Sequence, residues 1–137
     1  MSRSITTHHD GHGLTESIEV EADERGPGGA SHRFRAFVPD PDMQRAWTLA
    51  GCAGPARKVV AEIQYQKGPR TELTSTAGIL DCVLLAIVAD RMESFQAGPY
   101  ACESNSIVLS LVRSAMDELK RRADERAARG VLGKNTK

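Results

Sequence analysis

The sequence predicts an α+β fold in which a small antiparallel β-sheet of about three strands or more precedes a C-terminal antiparallel helical hairpin. Short runs of alternating apolar and polar residues, separated by glycine and proline, fill the segment from 14 to 67 and are typical of half-buried strands. From about residue 75 onward, apolar residues recur at helical spacing and are interrupted at Gly98-Pro99. A chain of 137 residues can bury only a modest core.

Composition excludes several classes of partner. Lysine plus arginine and aspartate plus glutamate both count 18, so no global field favours long nucleic acid or anionic lipid. The three cysteines are odd in number and contain no C-x-x-C pair, which fits a reducing compartment. The longest apolar stretch, 82–89, is far shorter than the ~20 residues that cross a bilayer. We therefore expect a soluble, cytoplasmic protein without membrane contact.

The predicted β region spans 14–70 and follows a flexible N-terminal arm, 1–13, whose histidines, glycines and polar residues cannot bury enough surface to order it. Alternation predicts one strand over 14–22 and another over 31–38. Between them, the glycines and proline of 23–30 predict a chain reversal and hence an antiparallel hairpin.

A third strand is predicted over 57–67, although Val60 interrupts its polar face. The preceding segment, Asp40 to Pro55, contains the single tryptophan and fits either a short helical turn or a long loop. The residues alone leave both alternatives open.

The helical hairpin and a short tail occupy 71–137. Ser75 or Thr76 is the predicted cap of a first helix that runs to about Gln96, and a second helix runs from about 104 to 129 and ends at Gly130. The short connection predicts antiparallel packing. Apolar residues of the first helix cover more than one face, which predicts that another chain buries part of the hairpin.

A candidate ligand site follows from side-chain chemistry. Arginine forks bind phosphate, a phenyl ring stacks on a purine, and an asparagine can pair with a base edge or ribose. At ~1.5 Å per residue, Asn105 and Arg122 lie roughly 25 Å apart on one helix, so a small ligand cannot bridge them within one subunit. Two hairpins packed head to tail would join the turn of one chain to the arginines of the other, in a twofold dimer with two composite sites. The candidate residues are Arg70, Phe95, Asn105, Arg122 and Arg126.

A structural interpretation of the same residues competes with this one. In it, Phe95 fills the core, Asn105 caps the second helix, and the late arginines pair with Glu118, Asp124 or Glu125 in solvent. Charged helix ends and aromatic residues at turns are common in proteins without any ligand.

Several blocks of the sequence, taken in order, resemble a known family, the phage Thoeris anti-defence sponges; the hairpin is also similar to that of anti-CBASS sponges. The blocks are 63–70 (IQYQKGPR), 84–91 (LLAIVADR), 95–100 (FQAGPY) and 121–131 (RRADERAARGV). This resemblance implies a non-enzymatic protein, with no catalytic residue, cofactor or metal, that binds glycocyclic ADP-ribose intact in the cytoplasm of the infected bacterium.

The resemblance also implies residue roles and an assembly. Arg70, Asn105, Arg122 and Arg126 would contact the cyclic nucleotide and Phe95 would stack on it. The assembly would be a homodimer or a higher homo-oligomer such as a hexamer. Relatives can carry a second pocket for cyclic oligonucleotides, to which no residue here can be assigned.

Two other functions remain as alternatives. A nucleotide-degrading enzyme could use His8, His9, His12 and His32 with Asp10, Asp81 and Asp90, but these histidines fall in a glycine-rich arm and on one strand instead of on a helix. A small nucleic-acid or protein-binding module could use the basic end of the second helix, but acidic residues dilute that face and aromatic residues are scarce.

Overall fold

The computed structural model describes residues 2–134 and divides the chain into two compact units, Met1–Lys67 and Gly68–Lys137. The first unit contains a four-stranded antiparallel sheet, and the second contains two packed helices, so the predicted α+β fold is confirmed. The elements in chain order are β1 (Arg3–Ile5), β2 (Glu19–Ala22), β3 (Arg33–Pro39), α1 (Pro41–Leu49), β4 (Arg57–Gln64), α2 (Asp81–Gln96) and α3 (Glu103–Ala128).

The strands lie in the sheet in chain order, β1-β2-β3-β4, and every neighbouring pair is antiparallel. The predicted hairpin is confirmed as β2 and β3, and its turn contains Gly28 at φ 75, a conformation that favours glycine. The first predicted strand is shorter than expected. It begins at Glu19 instead of near Leu14, because the preceding residues form a turn in which the Ile18 amide donates to the Thr15 carbonyl at 3.1 Å.

The segment predicted as a flexible arm contains regular structure. Its residues 3–5 form β1, which pairs with β2. Beyond β1, acidic side chains organise the backbone: the Glu16 carboxylate accepts from the Gly13 amide at 2.8 Å, and Asp10 accepts from the His12 amide at 2.9 Å. Composition did not predict these contacts. The prediction considered only buried apolar surface, whereas here single carboxylates order the segment by accepting hydrogen bonds from backbone amides.

A β-bulge explains why Val60 interrupts the alternation of the third predicted strand, β4. Pairing with β3 passes from Ala36–Ala61 to Phe37–Val59 and skips Val60. One extra residue reverses the inward and outward positions on one side of the bulge. The ladder itself ends at Gln64, three residues earlier than predicted.

The undecided segment between Asp40 and Pro55 forms a helix, α1. Asp40 caps it by accepting from the Met43 amide at 3.1 Å. Pro41 occupies the first helical position, where a backbone N–H would have no acceptor within the helix, so the N–H that proline lacks is not needed. Gln44 then ties the following loop to the helix, since its side-chain oxygen accepts from the Ala56 amide at 2.7 Å. The helical alternative is therefore correct.

One face of the sheet combines ion pairs with an aromatic residue. Arg57 on β4 binds Glu21 at 3.0 Å and also pairs with Glu19, both on β2. Its guanidinium carbon lies 3.9 Å from the ring centroid of Phe37, which is only 8% exposed. The arginine therefore covers the ring and connects strands that are not neighbours in the sheet.

In the second unit, α2 begins at Asp81, so the predicted cap at Ser75 or Thr76 is wrong. The Ser75 hydroxyl donates to the carbonyl of Pro69 and holds a turn instead of a helix start. The predicted second helix is confirmed as α3, capped by Cys102 and followed by Gly130 at φ 72. No helix among residues 2–134 is long and apolar enough to span a membrane.

We predict that Phe37→Ala lowers the free energy of unfolding of the first unit by about 3 kcal/mol, because it removes a buried ring from a small core. Urea unfolding followed by fluorescence of Trp47, the single tryptophan, measures this loss. Val60→Ala is the control, since Val60 is 54% exposed and should cost less than about 0.5 kcal/mol. Equal losses in both variants would contradict the assignment of Phe37 to the core.

Candidate functional site

Phe95 lies in the last turn of α2, where the helix ends. Its carbonyl accepts from the Gly98 amide at 3.2 Å, which turns the chain toward α3. The ring is half-buried, and the guanidinium carbon of Arg91 lies 5.3 Å from its centroid. Sequence reasoning missed Arg91, although the i, i+4 spacing from Phe95 was a usable signal. A planar ligand that stacks on Phe95 would meet a ring with a cation over one face.

Asn105 braces the turn between the helices. Its side-chain nitrogen donates to the Tyr100 carbonyl at 3.3 Å, while its backbone amide donates to Cys102 Sγ at 3.5 Å. Cys102, not Asn105, is therefore the N-cap, and the capping role proposed for Asn105 in the structural interpretation is wrong. No described residue donates to the side-chain oxygen of Asn105, so that oxygen can accept from a ligand.

The carboxylates near the end of α3 are already paired with other cations. Glu118 binds Arg121, Asp124 binds Lys120 at 2.8 Å, and Glu125 binds Arg129 at 3.3 Å. Hydrogen bonding to Glu118 raises the pKa of the Arg121 guanidinium, and the same contact lowers the pKa of Glu118. These exposed pairs contribute little stability individually, but they determine which cations remain available.

Arg122 is such a cation. Its side chain is exposed, and within residues 2–134 it forms no ion pair and no hydrogen bond. The structural interpretation expected it to pair with Glu118, Asp124 or Glu125, and the structure contradicts that expectation. Arg122 can therefore offer its whole guanidinium fork to an anion from solution.

Arg126 lies one helical turn beyond Arg122 and contacts the chain that follows α3. Its Nη2 donates to the carbonyls of Val131 at 3.0 Å and Lys134 at 2.8 Å. The backbone of Arg126 also takes part, because its carbonyl accepts from the Val131 amide at 2.9 Å. Neither the predicted phosphate role nor the predicted carboxylate pairing described this contact with the tail.

Arg70 is exposed in a compact turn before α2. The Glu72 amide donates to the Pro69 carbonyl at 3.1 Å, and Gly68, at φ 88, precedes the turn. A Cβ added to Gly68 would lie 2.7 Å from the Ser75 hydroxyl oxygen, so the glycine is required for this close approach. Among the described residues, Arg70 forms no ion pair or side-chain hydrogen bond with the other candidate residues.

The candidate residues form two separate groups. An ion pair between Arg113 and Glu93 joins the helices, which therefore run antiparallel and hold Phe95 and Asn105 at their connected end. Arg122 and Arg126 lie near the other end of α3. Because α3 has 26 residues and α2 has 16, α3 extends about 15 Å beyond the start of α2. The arginines project on this extension, far from Phe95.

Apolar side chains remain exposed along both helices. Leu80, the N-cap of α2, and Val83 and Ile87 within the helix recur at three- and four-residue spacing, and Ile87 is 55% exposed. On α3, Leu111 is 65% exposed and shares its face with Arg122, three helical turns later. The two helices therefore bury only part of their apolar surface against each other.

Two histidines of the first unit, His8 and His9, contact neighbouring groups. His8 Nε2 contacts the Ile18 carbonyl at 2.7 Å, and the His8 and His9 rings meet edge to face at 4.5 Å between centroids. No group of three or more metal-ligating side chains comes together within residues 2–134. The described residues therefore do not bring together the ligands that a metal-dependent enzyme would need.

No protein-family model matches the chain. A curated relative from Bacillus phage SBSphiJ7, named Thoeris anti-defense 1, is 32% identical over 78 residues. Over this stretch the chain is similar to a Thoeris anti-defence protein. The match covers 57% of this chain and 54% of the relative, so the chain spans about half the length of the curated relative that it matches. The family resemblance predicted from the sequence blocks is confirmed, whereas the ligand roles of individual residues remain predictions.

We predict that phenylglyoxal modifies Arg122 of this protein faster than Arg121. The Glu118 contact raises the pKa of Arg121 and so reduces its reactive neutral fraction, whereas the Arg122 fork faces solvent. Peptide mass spectrometry after partial modification measures both rates. Faster modification of Arg121 would show that the ion pairs described above do not hold in solution.

Proposed function

We propose that this protein inhibits Thoeris defence by binding glycocyclic ADP-ribose and sequestering it without breaking a bond. The observation that carries the proposal is Arg122, an exposed guanidinium whose neighbouring carboxylates are all committed to other cations. A cation of this kind, one turn from Arg126, suits a ligand with two linked phosphates. The match to a relative named Thoeris anti-defense 1 supports the choice of pathway. The proposed place of action is the cytoplasm of the infected bacterium.

The proposed binding unit is a pair of chains. Phe95 and Asn105 lie about 25 Å from Arg122 along the hairpin, so a ligand touching both groups needs a second hairpin in head-to-tail orientation. The exposed apolar residues of α2 and α3 supply a surface for that partner. The chain also lacks large side chains that are fully buried among its described residues, as expected when part of the core forms between subunits.

Each side chain has a distinct task in the proposed pocket. Arg122, Arg126 and Arg70 neutralise the pyrophosphate, Phe95 of the other subunit stacks on the adenine, and the free oxygen of Asn105 accepts from a base or ribose group. To outcompete an effector, the dissociation constant has to be about nanomolar, or on the order of −12 kcal/mol. Enclosure of the ligand between two chains and several charge-assisted hydrogen bonds can supply that affinity.

A direct test separates sequestration from degradation. The purified protein is incubated with glycocyclic ADP-ribose, separated from free ligand by filtration, and then heated to release what it holds. Mass spectrometry of the released fraction should find the intact nucleotide. A cleaved product would identify an enzyme, and intact ligand that remains in the filtrate would refute sequestration.

We predict that Arg122→Ala weakens ligand binding roughly 10- to 100-fold, the loss expected for one charge-assisted contact of about 1.5–3 kcal/mol. Arg121→Ala is a matched control, because it removes the same charge from the adjacent position, where the arginine is already paired with Glu118 and Glu125. Titration calorimetry measures affinity, and light scattering should show the same assembly in both variants. Equal weakening by both substitutions would indicate a diffuse electrostatic effect instead of a site.

We predict that Leu111→Glu separates the subunits and abolishes ligand binding. Leu111 is 65% exposed, so a charge there should not unfold the single chain but should be unfavourable inside an interface. Light scattering measures the mass, and circular dichroism checks the helices. The control is Ser110→Glu, which adds the same charge at the next exposed position of α3, on another face of the helix. A Leu111→Glu variant that keeps both its mass and its binding would exclude this face as the interface.

A further inference from the structure

We infer that the tail formed by Val131 to Lys134 is a latch on Arg126 that a bound phosphate has to open. The inference rests on the proposed function, because it concerns the same arginine. In the structure, Arg126 Nη2 donates to two tail carbonyls, those of Val131 at 3.0 Å and Lys134 at 2.8 Å. An Nη2 atom has two hydrogens, so both of its donors are committed to the tail.

The geometry of a guanidinium makes this commitment important. A bidentate contact with phosphate uses either Nε with Nη2 or Nη1 with Nη2, so both arrangements require Nη2. Arg126 therefore cannot form a bidentate phosphate contact while Nη2 holds both carbonyls. At least one tail carbonyl has to leave first, and the tail competes with the ligand for the same donor.

The end of α3 positions the tail for this competition. The Val131 amide donates to the Arg126 carbonyl at 2.9 Å, and the Gly130 amide donates to the Ala127 carbonyl at 3.0 Å. These two bonds form a Schellman motif, in which Gly130, at φ 72, folds the chain back over the last turn. A further bond from the Lys134 amide to the Val131 carbonyl, 3.0 Å long, closes the tail into a compact turn. The two carbonyls reach Nη2 as one unit.

The latch predicts that ligand binding and tail docking oppose each other. The apparent dissociation constant is the intrinsic constant divided by the fraction of molecules with the tail released.

Gly130→Val should raise that fraction, since a β-branched residue strongly disfavours positive φ, and it leaves Arg126 unchanged. We expect binding of glycocyclic ADP-ribose to become roughly five- to tenfold tighter. Gly28→Val is the matched control, because Gly28 has a similar φ of 75 and open space around its Cα, but lies in the sheet hairpin.

Two measurements test the latch. Amide hydrogen exchange at Val131 and Lys134 should become faster when glycocyclic ADP-ribose is added to the wild-type protein, and faster without ligand in Arg126→Lys, which lacks the fork. Calorimetry should show tighter binding by Gly130→Val but not by Gly28→Val. Slower tail exchange with ligand, or unchanged or weaker binding by Gly130→Val, would overturn the latch and leave the proposed function intact. If the wild-type protein binds no ligand at all, the proposed function fails, and the latch fails with it.

Discussion

The α2–α3 hairpin contains more apolar side chains than two helices can bury against each other, and this excess is the constraint on which the proposed assembly depends. The buried residues of the two helices are Ala89 and Leu109. Ile87 and Leu111, by contrast, remain more than half exposed. Such surface is unfavourable in water unless another surface covers it, and the favourable free energy of covering it would drive subunits together. In the proposed dimer, a ligand pocket between two chains would form as a consequence of burying the helices.

A second constraint acts at the end of α3, where acidic and basic residues are nearly equal in number. Because Glu118, Asp124 and Glu125 each hold another cation, the local field is neither strongly basic nor uniform, and Arg122 is left to face solvent. This arrangement favours one compact anion over a long polyanion, which needs a continuous basic surface. In the proposed site, the paired charges would contribute to selectivity against polyanions, although they contribute little to stability.

Periodicity predicted most of the fold, and failures occurred where single side chains changed the local backbone. The β2–β3 hairpin and α3 were predictable because their apolar residues repeat over several turns or strand positions. The start of α2 was not, because the Ser75 hydroxyl binds Pro69 instead of capping a helix. The strand β1 has only three residues, too few to show an alternation. In the candidate site, spacing placed Arg122 and Arg126 one turn apart, but only coordinates show that one faces solvent and the other holds the tail.

The bulge at Val60 affects how this chain should be compared with other sequences. Residues of β4 on the two sides of the bulge follow opposite parities, so Val59 and Glu62 share a face although they are three positions apart in the sequence. If a relative lacks the extra residue, an alignment without a gap would match inward-facing with inward-facing residues on only one side of the bulge. Any position-by-position transfer of inward and outward assignments would be inverted on the other side, and a one-residue gap at Val60 would correct it.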